Sequence, residues 1–172
     1  IIDLKTGKAT VTEPMNVKSP LTAWCEDGQC FVAADQNCIR LMDVAGNTLL
    51  QISCNGLVPS SFYSIGDQLY VIYGNNSLYC YSLTDGSFLS KINLSLPTYV
   101  SDFVWEAVDD RHLAIYTNGV LNLLDIDALT LKACISDCSG YSFADNIVFM
   151  GAEDDDGSFS MGYYTIYSYQ DL

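Results

Sequence analysis

The densest group of potentially reactive side chains is an acidic run at residues 153–158, with the sequence EDDDGS. Calcium favours clustered carboxylate and carbonyl oxygens, so Asp154 and Asp156 are weak candidates for binding a divalent metal. The run lacks the alternating Asp-x-Asp-x-Asp-Gly spacing of a calcium-binding loop, and neighbouring carboxylates point in different directions. We therefore interpret it mainly as a solvated hairpin loop. The alternative is that Glu153 and Asp155 contact a basic partner.

His112 is the one histidine of the chain, and histidine is the commonest general acid or base in enzymes. It begins a predicted strand, and sequence spacing alone places no Ser, Cys or Asp beside it, so we interpret it as a surface or blade-packing residue. Convergence of His112 with Asp102, Glu106 and Asp109 would instead indicate a metal site or a catalytic pocket. We accordingly predict no catalytic or cofactor-binding residue, no cofactor, and a protein that is not an enzyme.

The chain contains seven cysteines. Their odd number and scattered placement favour a reducing compartment, from which we expect a cytoplasmic location. Cys30, Cys38 and Cys80 fall within predicted strands, where a thiol behaves as a small buried hydrophobe. Cys25 and Cys30 flank a predicted turn, so a disulfide between them is left open. The single histidine argues against a zinc site.

The composition excludes some classes of partner. The net charge is −14, with 7 basic residues against 21 acidic ones. Scattered basic residues cannot form the positive surface that nucleic acids or anionic membranes require, so we expect neither as a direct partner. Hydrophobic residues make up 49% of the chain, which is enough for a core. No apolar stretch approaches the ~18 residues of a membrane span, and the length predicts one domain.

The elements that would carry any site are predicted by a phrase that recurs about every forty residues: an apolar residue, Asp or Ser, another apolar residue, and then a turn. Repetition at this period is typical of β-propellers. Because a carboxylate at this position can accept hydrogen bonds from the N–H groups of the turn that follows, we interpret the Asp as structural. The copies are Ile2-Asp3-Leu4, Met42-Asp43-Val44, Tyr81-Ser82-Leu83, Leu124-Asp125-Ile126 and Tyr167-Ser168-Tyr169.

Short apolar and β-branched runs between turn residues predict an all-β chain of propeller blades, each a four-stranded antiparallel unit of about 40 residues. We expect one propeller segment over residues 1–172, an incomplete ring or a fragment of a larger propeller. It would comprise a partial blade at 1–13, blades at about 21–53, 61–93 and 102–136, and a partial blade at 141–172. The predicted strands are 1–4 and 9–13; 21–26, 30–34, 39–44 and 48–53; 61–65, 69–73, 78–83 and 88–93; 103–108, 113–117, 120–126 and 131–136; 141–144, 147–150 and 163–169.

The repeated phrase resembles two propeller families. Residues 2–8, IDLKTGK, are similar to the Asp-x-x-Thr-Gly-Lys core of pyrroloquinoline-quinone (PQQ)-type repeats, and the five copies resemble the third-strand ending of WD repeats. The chain lacks the Trp that PQQ-type repeats place after Gly-Lys and the Gly-His pair of WD repeats. The resemblance therefore implies the propeller fold, and it implies neither quinone binding nor the WD hydrogen-bond network.

From these patterns we expect a non-catalytic binding or scaffold module that mediates protein–protein or peptide recognition, as the sensor or interaction part of a larger protein. Loops carry function on rigid scaffolds. Further partners would be the remainder of its own propeller or a second copy that closes the ring. The alternative is a fragment of a propeller enzyme or of a quinoprotein-like cofactor-binding protein, with its site on the ring axis. The expected contact residues are Asn55, Leu57, Tyr99, Asp137, Glu153 and Asp155.

Overall fold

The computed structural model describes residues 21–25, 30–35, 37–74, 76–97, 102–136, 138, 140–144, 147–151 and 164–168. Every regular element in these ranges is a β-strand. This described part thus contains no helix that could cross a membrane. The strands are β1 (Leu21–Trp24), β2 (Cys30–Ala34), β3 (Cys38–Asp43), β4 (Thr48–Ser53), β5 (Pro59–Ile65), β6 (Gln68–Tyr73), β7 (Ser77–Ser82), β8 (Phe88–Asn93), β9 (Val104–Ala107), β10 (His112–Thr117), β11 (Val120–Asp125), β12 (Thr130–Ile135), β13 (Gly140–Ala144), β14 (Ile147–Gly151) and β15 (Tyr164–Ser168).

The strands form separate sheets in which consecutive strands are hydrogen-bonded neighbours. Within the described ranges, β1–β4, β5–β8 and β9–β12 each form a four-stranded sheet, and β13–β15 form a three-stranded one. Tight turns make this order possible: between β10 and β11, Thr117 pairs with Val120 across the turn residues Asn118 and Gly119. Their φ angles of 42° and 79° belong to the left-handed hairpin turn that matches strand twist. Such four-stranded antiparallel sheets are propeller blades.

Burial varies across each blade. In β6 every residue from Leu69 to Tyr73 is buried, and β10 buries Leu113 and Ile115 completely. A strand covered on both faces carries a continuous apolar run, whereas a half-exposed strand alternates. The outer strands β4 and β8 share a different pattern, in which the fifth residue is buried and most of the others are exposed.

The chain divides into two compact units, Ile1–Lys91 and Ile92–Leu172. In the first unit, β1 lies against β5, and residues of both sheets, including Val32 and Val71, share one hydrophobic core. In the second unit, Leu121 and Cys138 belong to a core against which aromatic residues of β10 and β13 pack. Each unit therefore has its own buried apolar cluster.

The fold class predicted from the repeat is confirmed: the described chain is all-β and built of four-stranded antiparallel blades. Inside these ranges the predicted strand ends agree with the observed ones to within two residues. The partial blade predicted at residues 1–13 lies outside the described residues, and the assignment of the chain to one propeller segment stays a prediction.

The two tryptophans are not at equivalent positions, although they fall in the first strands of two blades. In β1, Trp24 lies opposite Phe31, the residue that pairs with Met42 just before the repeated Asp. In β9 the equivalent place, opposite Leu113, is taken by Ala107, and Trp105 lies two residues earlier, opposite Ile115. The connection between the first two strands is one residue longer in the blade of Trp24. Trp24 is also one residue closer in sequence to its repeated Asp than Trp105 is, so the two tryptophans differ in register by two positions.

Candidate functional site

In the blades that contain Asp43 and Asp125, the repeated Asp closes the turn that follows the third strand, as its position predicts. Asp43 Oδ1 accepts hydrogen bonds from the backbone N–H groups of Ala45 at 2.9 Å and Asn47 at 2.8 Å. The Asn47 side-chain amide also donates to Asp43 Oδ2 at 2.8 Å. These hydrogen bonds, that from the Asn47 side chain first, lower the pKa of Asp43. Each of these hydrogen bonds to the Asp43 carboxylate therefore comes from the turn that follows it.

Asp125 and Ser82, at the equivalent positions of the repeat, also accept hydrogen bonds from the turns that follow them. Asp125 Oδ1 accepts from the N–H groups of Asp127 at 3.0 Å and Ala128 at 2.9 Å, and the Ala128 N–H is the main cause of its lowered pKa. Ser82 Oγ accepts from the Thr84 N–H at 3.1 Å. Because side-chain oxygens here satisfy turn donors, the repeat position supports the fold.

His112 lies beside a carboxylate, and this corrects the expectation that no Asp would be next to it. The His112 Nδ1 atom is 2.9 Å from both carboxylate oxygens of Asp109. Asp109 Oδ1 also accepts from the backbone N–H groups of Arg111 at 2.7 Å and His112 at 2.8 Å. The tight turn before β10 therefore brings together two residues that are three apart in sequence.

The described part of the chain does not bring Asp102 and Glu106 to His112 as a set of metal ligands. No three His, Cys, Asp or Glu side chains among the described residues are placed to hold a metal ion. Glu106 hydrogen-bonds Tyr141, and burial first and then Glu106 raise the pKa of Tyr141 to about 12. Asp102 is exposed, and His112 itself is buried. The Asp109–His112 pair thus orients a buried ring at the start of β10.

Four aromatic residues form a connected strip on one side of β6–β8, which we call the aromatic strip: Tyr73, Tyr79, Tyr81 and Phe88. The Tyr73 and Tyr79 rings meet edge to face with centroids 4.9 Å apart. Tyr79 and Tyr81 lie nearly parallel at 6.4 Å and 14°. Phe88 lies 6.0 Å from each of them. Residues two apart on a strand share a face, which explains how β7 supplies two of these rings.

The aromatic strip runs from the core of the first unit to solvent. Tyr73 is 1% exposed and Tyr81 is 8% exposed, while Phe88 is 56% exposed. At the buried end the hydroxyl oxygens of Tyr73 and Tyr81 lie 3.2 Å apart in a hydrogen bond, and Tyr73 also hydrogen-bonds the Cys54 thiol. Burial raises the pKa of Tyr73, and it raises the pKa of Cys54 to about 11. At neutral pH this end is uncharged.

A cation lies over the more exposed end of the aromatic strip. Lys91 Nζ is 5.6 Å from the centroid of the Tyr79 ring, within the ~6 Å over which a cation is attracted to the face of an aromatic ring. Lys91 belongs to β8 and Tyr79 to β7, so strand pairing brings them together. Sequence reasoning missed this site. The signal that could have found it is the Tyr-x-Tyr spacing at 79–81 followed by an aromatic residue directly after the turn.

The structure describes two of the predicted contact residues. Asn55 is exposed in a turn with a φ of 51°, and its N–H donates to Ser53 Oγ at 3.3 Å. Leu57 is half-buried and packs against the core of the first unit. This core also contains Tyr73 and Tyr81 of the aromatic strip. The remaining predicted residues, Tyr99, Asp137, Glu153 and Asp155, and the weak metal candidates Asp154 and Asp156, lie outside the described residues.

The disulfide question at the first hairpin stays open. The Cys25 backbone N–H donates to the Cys30 carbonyl oxygen at 3.0 Å, so the two residues face each other across the turn. Elsewhere in the described part, the buried thiols of Cys38, Cys54, Cys80 and Cys138 form no disulfide. Burial raises the pKa of Cys80 to about 11, which keeps this thiol protonated and unreactive at neutral pH.

Comparison with known proteins gives the fold alone. No protein-family model and no curated protein sequence match the chain. BamB from Moraxella catarrhalis, a propeller, is similar over 86% of this chain and 49% of that chain, with 14% identity and a TM-score of 0.60. A chain of the mitotic checkpoint complex, which contains WD40 proteins, is similar over 88% of this chain and 50% of that chain, with 12% identity and a TM-score of 0.68.

A computationally designed protein, Ika4, is similar over 94% of this chain and 97% of that chain, with 15% identity and a TM-score of 0.60. The chain spans about half the length of BamB and of the matched checkpoint chain. These likenesses support a β-propeller-like fold. Propellers host many unrelated activities, so a function has to be argued from the surface of this chain.

Proposed function

We propose that the chain is a non-catalytic propeller module that recognises a protein or peptide, as the interaction or sensor part of a larger assembly. The blades would be of the WD or PQQ type, as the repeated phrase suggests. The similarity to a chain of the mitotic checkpoint complex supports this proposal by analogy, since that chain is part of an assembly.

The observation that carries the proposal is the exposure of large apolar side chains on the outer strands of the first unit. Leu49 of β4 is 58% exposed, and Phe88 and Leu89 of β8 are 56% and 42% exposed. Leu49 is also the extra residue of a β-bulge, because Leu41 pairs with Leu50 and Met42 pairs with Thr48. Outer strands of soluble sheets usually carry charged residues or prolines that discourage contact. Apolar side chains at such an edge favour a protein-binding surface.

The charge of the chain supports the same proposal. With a net charge of −14, the surface repels other acidic molecules and attracts basic ones over a range set by ionic strength. The predicted contact residues Asn55, Leu57, Tyr99, Asp137, Glu153 and Asp155 would extend the surface beyond the outer strands. A propeller ring needs about four to eight blades, which further chain or a second copy would supply. Light scattering of the chain distinguishes a monomer from a dimer.

The alternative hypothesis, a propeller enzyme or a quinoprotein-like cofactor-binding fragment, predicts a different result. Such a chain would take up pyrroloquinoline quinone in the presence of Ca²⁺ and show the absorbance of the bound quinone, and its peptide binding would be weak or absent. The binding-module proposal predicts selective peptide binding and no quinone uptake.

A peptide selection tests the proposal directly. Random twelve-residue peptides displayed on phage are selected on the immobilised 172-residue chain and on its Leu49→Ser/Phe88→Ser/Leu89→Ser variant. We expect one related family of peptides that binds the unaltered chain and binds the variant at least about tenfold less tightly, a loss of ~1.4 kcal/mol. Val104→Ser is the control, because Val104 is similarly exposed at 51% but lies on β9. Absence of any enriched family, or equal losses in variant and control, would overturn the proposal.

A further inference from the structure

Three rings of the aromatic strip contact one another between the core of the first unit and solvent. Tyr79 and Tyr81 lie nearly parallel, with an interplanar angle of 14° and centroids 6.4 Å apart. Phe88 crosses them at 56° and 68°, with its centroid 6.0 Å from each. Tyr79 and Phe88 are the two rings of this group that are not buried. A cation is attracted to the accessible face of such a ring.

The exposure of these rings differs from that of ordinary core packing. A core aromatic cluster buries all of its rings, because each buried ring removes a large apolar area from water. Here Tyr81 is buried, Tyr79 is half-buried, and Phe88 is more than half exposed. The inner ring is therefore held rigidly by the core while the outer rings remain accessible. Such a rigid and partly open cluster loses little conformational entropy when a partner binds.

The protein already places a cation against one of these rings. The Lys91 ammonium nitrogen is 5.6 Å from the centroid of Tyr79, and the Lys91 side chain is exposed. A single exposed lysine over a ring is held weakly, by about 0.5–1 kcal/mol. A second cation with more contacts can therefore displace it.

The local and overall charges favour a cationic partner. Asp85 precedes Phe88 by three residues and is exposed, and the hydrogen bond from the Ser87 N–H to its carboxylate lowers its pKa, so it is ionised at neutral pH. The chain as a whole carries a net charge of −14. A negative surface accelerates the approach of basic molecules, and the rings then select for a flat or compact cation.

We propose that Tyr79 and Phe88 receive an arginine or lysine side chain of a basic peptide, which takes the place of the Lys91 ammonium over Tyr79. This inference rests on the proposed function, because it names the chemistry of the partner that the binding module recognises. The exposed apolar residue Leu89 lies next to Phe88 on the outer strand and would contact an apolar residue of the same peptide.

The test uses two fluorescent peptides that differ only in charge. Both have nine residues, with one leucine between two variable positions. These two positions are arginine in one peptide and citrulline in the other. Citrulline keeps the shape and the hydrogen-bonding planarity of arginine but has no charge. Binding of each to the 172-residue chain is measured by fluorescence anisotropy at about 0.15 M and 0.5 M salt, where the Debye lengths are ~8 Å and ~4 Å.

Two pairs of variants distinguish the contribution of cation–ring contacts to binding from that of general electrostatic attraction. Phe88→Ala removes an accessible ring, and Val104→Ala is its control, since both side chains are more than half exposed but Val104 lies on β9. Lys91→Gln removes the competing ammonium, and Lys132→Gln removes one positive charge from β12, away from the strip in sequence. Tyr79→Leu is a second ring variant that keeps an apolar side chain at the half-buried position.

We expect the arginine peptide to bind at least about fivefold more tightly than the citrulline peptide, also at the higher salt. Phe88→Ala and Tyr79→Leu should each weaken the arginine peptide by about two- to fivefold, the range for a partly exposed cation–ring contact. Val104→Ala should change its binding less than Phe88→Ala does. Lys91→Gln should tighten binding more than Lys132→Gln.

Equal binding of the two peptides, equal effects of Phe88→Ala and Val104→Ala, or equal effects of the two lysine variants would each overturn the cation site. If neither peptide binds while the phage selection yields a peptide family that depends on the outer strands, the cation site is refuted and the binding module stands. If the selection also yields no family, both proposals fail.

Discussion

Removing the hydroxyl group of Tyr73 is expected to destabilise the first compact unit, Ile1–Lys91, by roughly 1–2 kcal/mol. This hydroxyl lies at the buried end of the aromatic strip, 3.2 Å from the Tyr81 hydroxyl, and it also hydrogen-bonds the Cys54 thiol. Tyr73→Phe keeps the ring and therefore keeps its packing. It removes one hydrogen-bonding group and leaves the Tyr81 hydroxyl and the Cys54 thiol without this partner.

The magnitude follows from how deeply each partner is buried. A typical hydrogen bond contributes about 0.5–1.5 kcal/mol net, and a buried polar group left without a partner costs about 1–3 kcal/mol. Tyr81 is slightly more exposed than Tyr73, so the penalty should lie near the lower end of that range. Tyr81→Phe should cost less, roughly 0.5–1.5 kcal/mol, because Tyr73 retains its contact with Cys54.

The double variant Tyr73→Phe/Tyr81→Phe is the decisive member of the series. When both hydroxyls are removed, neither is left facing an empty position, so the total cost should be smaller than the sum of the two single costs. We expect a coupling free energy of about 0.5–1.5 kcal/mol between the two residues, typical of neighbouring groups that share a hydrogen bond.

Urea denaturation measures these free energies if the signal comes from the first unit alone. The chain has two tryptophans, Trp24 in the first unit and Trp105 in the second. A Trp105→Phe background therefore makes the fluorescence of Trp24 a reporter for the first unit, which matters because two compact units can unfold separately. Additive single effects, within about 0.3 kcal/mol, would refute the reasoning that the two hydroxyls are partners. A neutral Tyr73→Phe would refute their burial.

Three further outcomes follow from the same structure. Gly86→Ala and Gly66→Ala should each lower the free energy of unfolding in urea by about 1–2 kcal/mol, because both glycines have positive φ angles, of 75° and 55°. Gly86→Ala should cost about a few tenths of a kcal/mol more, since its new Cβ would lie 3.1 Å from a side-chain methyl group of β4. Leu113→Ala should cost about 2–5 kcal/mol by opening a cavity at a fully buried site, and a loss below about 1 kcal/mol would contradict that burial. Burial raises the pKa values of Cys54 and Cys80 from the ordinary thiol value of 9.0 to about 11. In the unfolded chain these thiols lose their protons from about pH 9, whereas in the folded state they keep them. Stability should therefore be unaffected by them below pH 9 and fall from pH 9 towards 11, and a flat profile there would contradict their burial.

Much of the fold could be predicted from sequence because its determinants are local. A strand between two hairpin turns is marked by turn residues and by a run of apolar or β-branched residues, all within a few positions of each other. The carboxylate of Asp43 accepts hydrogen bonds from residues two and four positions away, so its structural role was also visible in the repeated phrase. Strand ends were therefore predicted to within two residues across the described ranges.

The parts that could not be predicted depend on register. Trp24 lies 19 residues before Asp43, and Trp105 lies 20 residues before Asp125. The connection between the first two strands is also one residue longer in the blade of Trp24, and the two differences together put the tryptophans two register positions apart. Asp109 reaches His112 because the turn before β10 folds the chain back tightly enough to bring Nδ1 within 2.9 Å. No pattern in the sequence states how long each turn is, since turn residues mark the place of a turn more clearly than its geometry.

The sequence by itself thus determined that this chain is built of propeller blades, where the strands of its described part lie, and that Asp43 and Asp125 close turns. Only the tertiary structure decided which side chains meet. The aromatic strip requires β7 and β8 to pair so that Phe88 reaches Tyr79 and Tyr81 and the Lys91 ammonium comes over a ring. The physical reason is that turns and strands are fixed by interactions within a few residues, whereas a surface is fixed by the pairing register between strands.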